Sequence, residues 1–189
     1  MKVEELIKQC TRNNRTAQNE LFRQYKDILY FTSLKYCRNE VDAEDNLHDA
    51  FITIFQKINT FKNKGSFEGW MKRITIFKAI DKYKKNRFIH VEINDEILTK
   101  PVVLDSDPKL SMEQLLKLIQ ELPDQYRLVF NLYQLDGYSH KEIASLLNIS
   151  EGTSKSNYHR AKMSLQEKIK SLQNANTIEK QNRWRKTKI

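Results

Sequence analysis

Four glycines and three prolines in 189 residues leave this chain little material for tight turns, and that scarcity constrains the fold most. A sandwich or barrel needs a turn every 8–12 residues or so, each drawing on Gly, Pro, Asn or Asp. Here the intervals are instead long stretches rich in Leu, Ile, Lys, Glu and Gln, residues that lose little side-chain freedom in a helix. The expected class is all-α, with two small helical domains joined by a flexible linker.

Apolar spacing supports this. Val3, Leu6, Ile7 and Cys10 form one face of a short helix. Leu21, Tyr25, Ile28, Leu29, Thr32 and Tyr36 form a stripe within a longer helix from about Thr16 to Cys37. Asp42 is the expected N-cap of a third helix, whose core face is Leu47, Ala50, Phe51, Ile54 and Ile58. After the polar turn Lys62–Gly65, Ser66 can cap a fourth helix, in which Trp70, Ile74 and Phe77 read as core.

The period then stops. Residues 88–110 carry Pro101 and Pro108 without helical spacing, and a structureless stretch of that length separates domains more often than it crosses one. The expected organisation is a domain at 1–90, an acidic linker at 91–110, a second domain at 111–172 and a basic tail at 173–189.

In the second domain Ser111-x-x-Gln114 and Ser139-x-x-Glu142 both have the form of a capping box. The first opens a helix bearing Leu115, Leu116 and Ile119; the second opens one bearing Ile143, Ala144 and Leu147. Between them Pro123 suits the first turn of a helix with Tyr126, Val129, Phe130 and Tyr133 on one face, and Asp136-Gly137 is a turn. Asn148 stands at a sharp bend, where Asn tolerates the left-handed conformation. Ser150 then caps a last helix reaching roughly Leu172, beyond which the tail is expected to fray.

Charge is uneven. Residues 1–90 carry 18 Lys/Arg against 11 Asp/Glu, a net +7, and the tail adds +4. The linker is −3 and residues 111–172 only +1. Such asymmetry points to a polyanionic partner. Cys10 and Cys37 sit at apolar helical positions and read as small core residues. The four histidines show no ligand spacing, and no nucleophile–base pair or glycine-rich phosphate loop is present. No catalytic residue, metal or cofactor is therefore expected. With no signal peptide and no apolar run near the roughly 20 residues of a membrane span, a cytoplasmic protein without membrane insertion is expected.

Two short helices joined by a tight turn, with Ala144 small at the crossing, form a helix-turn-helix. The inward face of its second helix is expected to be Ser154, Tyr158, Ala161 and Leu165. The outward face is Lys155, Ser156, His159 and Arg160, residue types that can reach base edges or phosphates in a major groove. An ordinary operator-binding dimer would satisfy this pattern too.

The ordered run Leu122-Pro123-Asp124-Gln125-Tyr126-Arg127, Gly137-Tyr138-Ser139-His140-Lys141-Glu142-Ile143-Ala144 and Ile149 to Ala161 resembles the C-terminal domain of extracytoplasmic-function (ECF) sigma factors. It departs from the family pattern at Ser154, where an aliphatic residue is usual, and at Asn157, usually Arg. Looser helix packing and a lost phosphate contact are the respective expectations. Val41-Asp42-Ala43-Glu44-Asp45, Asp49-Ala50-Phe51 and Ile54-Phe55 resemble the family helix that grips the polymerase clamp. Phe61 to Arg73, with Ser66-Phe67-Glu68-Gly69-Trp70, resembles its promoter-melting segment.

The resemblance implies core RNA polymerase, promoter DNA and an anti-sigma factor as partners. Asp45, His48, Asp49 and Gln56, off the core stripe or at its edge, are the expected polymerase contacts. Opening a duplex also requires replacement partners for lost stacking, worth about 1–3 kcal/mol per base on an aromatic platform. Phe61 and Phe67 flank the polar loop, Lys72 and Arg73 follow it, and Lys78, Lys82 and Lys85 form a stripe for phosphates. Phe61, Phe67, Lys72, Arg73, Lys78 and Lys82 are thus the expected contacts to melted DNA.

Overall fold

The computed structural model describes the backbone of residues 2–87 and 110–186, and side chains as far as Gln173. Regular structure among the described residues is entirely helical. The chain divides into two compact units, Met1–Val91 and Glu92–Ile189. Most of the expected linker lies outside the described residues.

In the first unit, α1 (Val3–Thr11) packs on α2 (Arg15–Tyr36), and α2, α3 (Glu40–Lys57) and α4 (Phe67–Arg87) pack on one another. Leu6, Leu21, Leu29, Leu47, Phe51, Ile54 and Met71 form the shared core. Each fully buried side chain of this size contributes about 1.5–3 kcal/mol. The chain reverses between α1 and α2 at Asn13, with φ +57°, and Asn14 then caps α2 by accepting from the Ala17 N–H at 3.1 Å.

Two local expectations need correcting. Asn39, not Asp42, is the N-cap of α3: its extended backbone precedes the helix and its side chain accepts from the Asp42 N–H at 2.8 Å. Asp42 sits inside the first turn, where its charge still complements the helix dipole. In α4 the buried stripe is Phe67, Met71, Ile76, Ala79 and Ile80, and Trp70, Ile74 and Phe77 are half-buried beside it. Those three residues edge the core rather than fill it, because α4 packs against both α2 and α3 and its buried sector follows their positions.

That core holds a polar inclusion. The Asn46 side chain on α3 is fully buried and donates to the Ser33 hydroxyl of α2 at 3.0 Å and to the Thr75 carbonyl of α4 at 3.2 Å. One amide thereby ties three helices in a single register.

The second unit comprises α5 (Met112–Gln120), α6 (Asp124–Phe130), α7 (His140–Leu147) and α8 (Glu151–Lys186). Both capping boxes form as expected, Ser111 with Gln114 and Ser139 with Glu142. Pro123 stands at the N-cap of α6, one position before its first turn. After α6 the chain widens into a π-turn over Asn131–Leu135 and reverses through Gly137, at φ +73°. Asn148 is left-handed, φ 54° and ψ 53°. Ser150 accepts from the Thr153 N–H at 2.9 Å, opening α8. That helix continues past Leu172 to Lys186 instead of fraying into a tail, since no Gly or Pro follows Gly152 to interrupt propagation.

Leu118, Ile119, Leu122, Ala161, Leu165 and Ile169 pack α5 against α8. At the α5–α6 corner the buried Arg127 guanidinium donates to the carbonyls of Gln120 (3.1 Å) and Leu122 (2.9 Å) and pairs with Asp124. The Gln120 carbonyl is one that the ending helix α5 leaves without an intrahelical partner.

Candidate nucleic-acid interface

The helix-turn-helix is built from α7, the Asn148 turn and the first turns of α8. Ser154, Asn157, Ala161 and Leu165 are buried and Tyr158 is half-buried, so α8 turns this side inward. Lys155, Ser156 and His159 are exposed together on the other side. The Lys155 ammonium lies 2.8 Å from Glu151, an ion pair on an exposed surface that screening and hydration make easy to exchange for a phosphate. That ion pair also holds the Glu151 carboxyl below its usual range. The Ser156 hydroxyl donates to the Thr153 carbonyl at 3.0 Å.

Arg160 does not share this open face. It is half-buried and donates to the Tyr126 hydroxyl of α6 at 3.2 Å. Five residues after Lys155 it lies about 140° further round the helix, close enough to α6 for its long stem to fold across. Both departures from the family pattern also take on a different meaning. Ser154 is buried against His140, its hydroxyl 2.9 Å from Nδ1, so a polar tie replaces the expected looseness. Asn157 is only 4% exposed, and its amide nitrogen has no hydrogen-bond partner. A side chain on that inward side is not in position for a phosphate contact.

In the first unit the loop between Phe61 and Phe67 bends through Asn63 (φ 53°) and Gly65 (φ 89°). Phe61, Phe67 and Trp70 cluster at its foot, with centroids 5.1 Å apart for Phe61–Phe67 and 5.6 Å for Phe61–Trp70. Phe67 is not available as a stacking platform: it is 6% exposed and belongs to the core, edge-on to Tyr25. Phe61 and Trp70 are the half-buried members.

Beyond the loop, Lys72 pairs with Glu68 at 2.7 Å, and Arg73 is exposed with its guanidinium 5.2 Å from the centre of the Phe77 ring. Lys78 is half-buried and Lys85 exposed. Lys82 reaches α3 and pairs with Asp49 at 3.0 Å. An expected DNA contact and an expected polymerase contact therefore neutralise each other in the free protein.

Along α3, Asp45, His48 and Gln56 are exposed and Asp49 is half-buried. Sequence reasoning missed two neighbours on the same side: Val41 is 68% exposed and Ile52 56% exposed. A signal existed, because positions 41, 45, 48, 52 and 56 repeat at helical spacing on the side away from Leu47, Phe51 and Ile54.

The family profile for sigma-70 region 2 matches residues 21–89, and that for sigma-70 region 4 matches residues 112–165. The ECF RNA polymerase sigma factor SigW of Bacillus subtilis is 30% identical over 185 residues, covering 91% of this chain and 99% of SigW. This chain belongs to the ECF sigma factors. The SigM factor of B. subtilis is 26% identical over 160 residues, covering 82% of this chain and 94% of SigM. Among solved structures, the sigma factor RpoE in complex with the anti-sigma factor NepR from Bartonella quintana shares the fold, with a TM-score of 0.50 and 19% identity over 80% of this chain and 96% of that one. In this ECF sigma factor, α2 from Leu21, α3 and α4 thus carry region 2, and α5, α6, α7 and the first part of α8 carry region 4. Its activity is to join RNA polymerase and direct it to promoters for transcription initiation. No helix among its described residues is long and apolar enough to cross a membrane.

Proposed function

We propose that the two units divide promoter recognition, with α8 reading the upstream element while α3 and α4 engage polymerase and melted DNA. The observation that carries this reading is the joint exposure of Lys155, Ser156 and His159 on the first turns of α8, opposite its buried side. Three donors there can meet base edges, a good bidentate contact being worth about 1–3 kcal/mol of discrimination. Arg160, held on Tyr126, would serve as a phosphate contact or a brace.

On α3, the stripe Val41, Asp45, His48, Ile52 and Gln56 supplies an apolar centre within a polar, partly acidic rim, suited to a basic helical surface of the polymerase. Asp49 contributes at its edge. Phe61 and Trp70 offer ring faces beside the Lys62–Ser66 loop, while Lys72, Arg73, Lys78 and Lys82 follow the strand backbone. The protein acts as a cytoplasmic factor, not an enzyme, and an anti-sigma antagonist belongs to the same reading.

Run-off transcription with core polymerase over a promoter library tests the division. Lys155→Ala or His159→Ala should change relative promoter preference while core binding persists. Asp45→Lys combined with Ile52→Ser should weaken core binding without loss of helical content. Unchanged preferences in the first pair, or undiminished core binding in the second, would refute the respective assignment.

A further inference from the structure

His140 has no part in the surface described above. It occupies the first helical position of α7, after the Ser139 cap, and its ring turns toward the buried side of α8. The ring stacks on Tyr133, with centroids 4.2 Å apart and planes 11° from parallel, and meets Tyr158 edge-on at 5.9 Å. Tyr158 tilts against Tyr133 at 4.6 Å and donates its hydroxyl to Gln134 Oε1 at 2.6 Å. With the 2.9 Å contact to Ser154, five side chains from the π-turn after α6, the start of α7 and the first turns of α8 close round the recognition helix. They lie opposite the side that exposes Lys155, Ser156 and His159.

An aliphatic side chain at position 154 would fill space, but apolar contact is non-directional and tolerates rotation. A hydrogen bond weakens steeply once misaligned. The Ser154 hydroxyl, fully buried, and the stacked His140 ring thus convert a slippery crossing into one with a preferred angle. Burial first and the Lys155 charge second hold the ring's pKa below the ordinary histidine value, against the opposing pull of Glu151. The Ser154 hydroxyl can rotate to serve either tautomer of the neutral ring.

We propose that His140 is a positioning residue for promoter readout: clasped to Ser154, stacked on Tyr133 and edge-on to Tyr158, it sets the rotation of α8 and hence which side chains meet base edges. This rests on the assignment of α8 as the base-reading helix, and the experiment separates the two.

The test is run-off transcription by the full-length factor with core polymerase over a library of upstream elements. His140→Phe keeps the ring and removes the hydrogen bond; Ser154→Ala removes it from the other side. His140→Asn retains a polar atom near the place of Nδ1. His140→Phe and Ser154→Ala should each alter relative promoter preference by about two- to tenfold, the range one hydrogen bond allows. The double variant should go no further than either single one. His140→Asn should recover the original order of preference, and core binding should be equal throughout.

A merely structural contact would instead lower output on every promoter by one common factor, in step with thermal stability; that result overturns the proposal. If Lys155→Ala, Ser156→Ala and His159→Ala all leave preferences flat, the assignment of α8 falls and takes this role with it. If those variants shift preferences while His140→Phe and Ser154→Ala do not, only the role of His140 falls.

Discussion

The two units of this sigma factor reach stability by different routes. In the first, α2, α3 and α4 are 22, 18 and 21 residues long and share one core through broad apolar faces. In the second, α5, α6 and α7 are only 9, 7 and 8 residues long. A helix of two turns cannot recover its nucleation cost from its own hydrogen bonds. Its ends therefore matter more, and both capping boxes among the described residues lie here, on α5 and α7. The corner clasp of Arg127 and the His140–Ser154 contact lie in the same unit. The long helices α2, α3 and α4 are held chiefly by their faces, with Asn46 as a polar tie, whereas α5 and α7 lean more on their capped ends.

The largest expected effect is on the face-held unit. Phe51→Ala removes a ring packed against Phe22 at 4.7 Å and Phe55 at 5.8 Å, and should cost about 3–5 kcal/mol. In a Trp184→Phe background Trp70 is the only tryptophan, and its fluorescence in urea should report the loss. A change under 1 kcal/mol or so would mean that this core collapses around the cavity.

Next comes the corner of the second unit. Arg127→Met should cost about 3 kcal/mol, toward the low end for breaking a buried pair, since Asp124 stays 20% exposed. Helical signal should fall at lower urea while the Trp70 transition stays in place. Coincident shifts of both transitions would show that the units do not unfold separately.

Ser139→Ala removes the acceptor for the Glu142 N–H and should cost about 1 kcal/mol. Amide exchange should quicken first in the opening turn of α7. The smallest effect belongs to the Asp49–Lys82 pair, both partners only half-buried and so screened by solvent. A double-mutant cycle to alanine should give a coupling of about 0.2–1 kcal/mol, falling as salt rises. A larger, salt-insensitive coupling would make this pair a structural tie comparable with Arg127 and blur the contrast between the units.

Local chemistry made much of the fold legible. Ser66, Ser111, Ser139, Asn148 and Ser150 each act within a few residues of themselves, and their roles follow from side-chain type and spacing. Asn39 escaped notice because the acidic run after it offers several plausible caps, and only the backbone bend selects one. The phase of α4 was harder. Its apolar residues occupy adjacent stripes, 67–71 and 70–74–77, and a one-residue choice rotates the helix by about 100°.

The sequence by itself determined the helical class, the capped helix-turn-helix and the open trio Lys155, Ser156 and His159. These depend on interactions between near neighbours and on apolar period. Only the tertiary structure decided that Phe67 is core, that Arg160 leans on Tyr126, that Asn157 faces inward, that Asp49 meets Lys82 and that His140 clasps Ser154. Each of these joins or buries groups according to where another helix lies, and the spacing of residues along one helix carries no information about the angle at which its neighbour crosses.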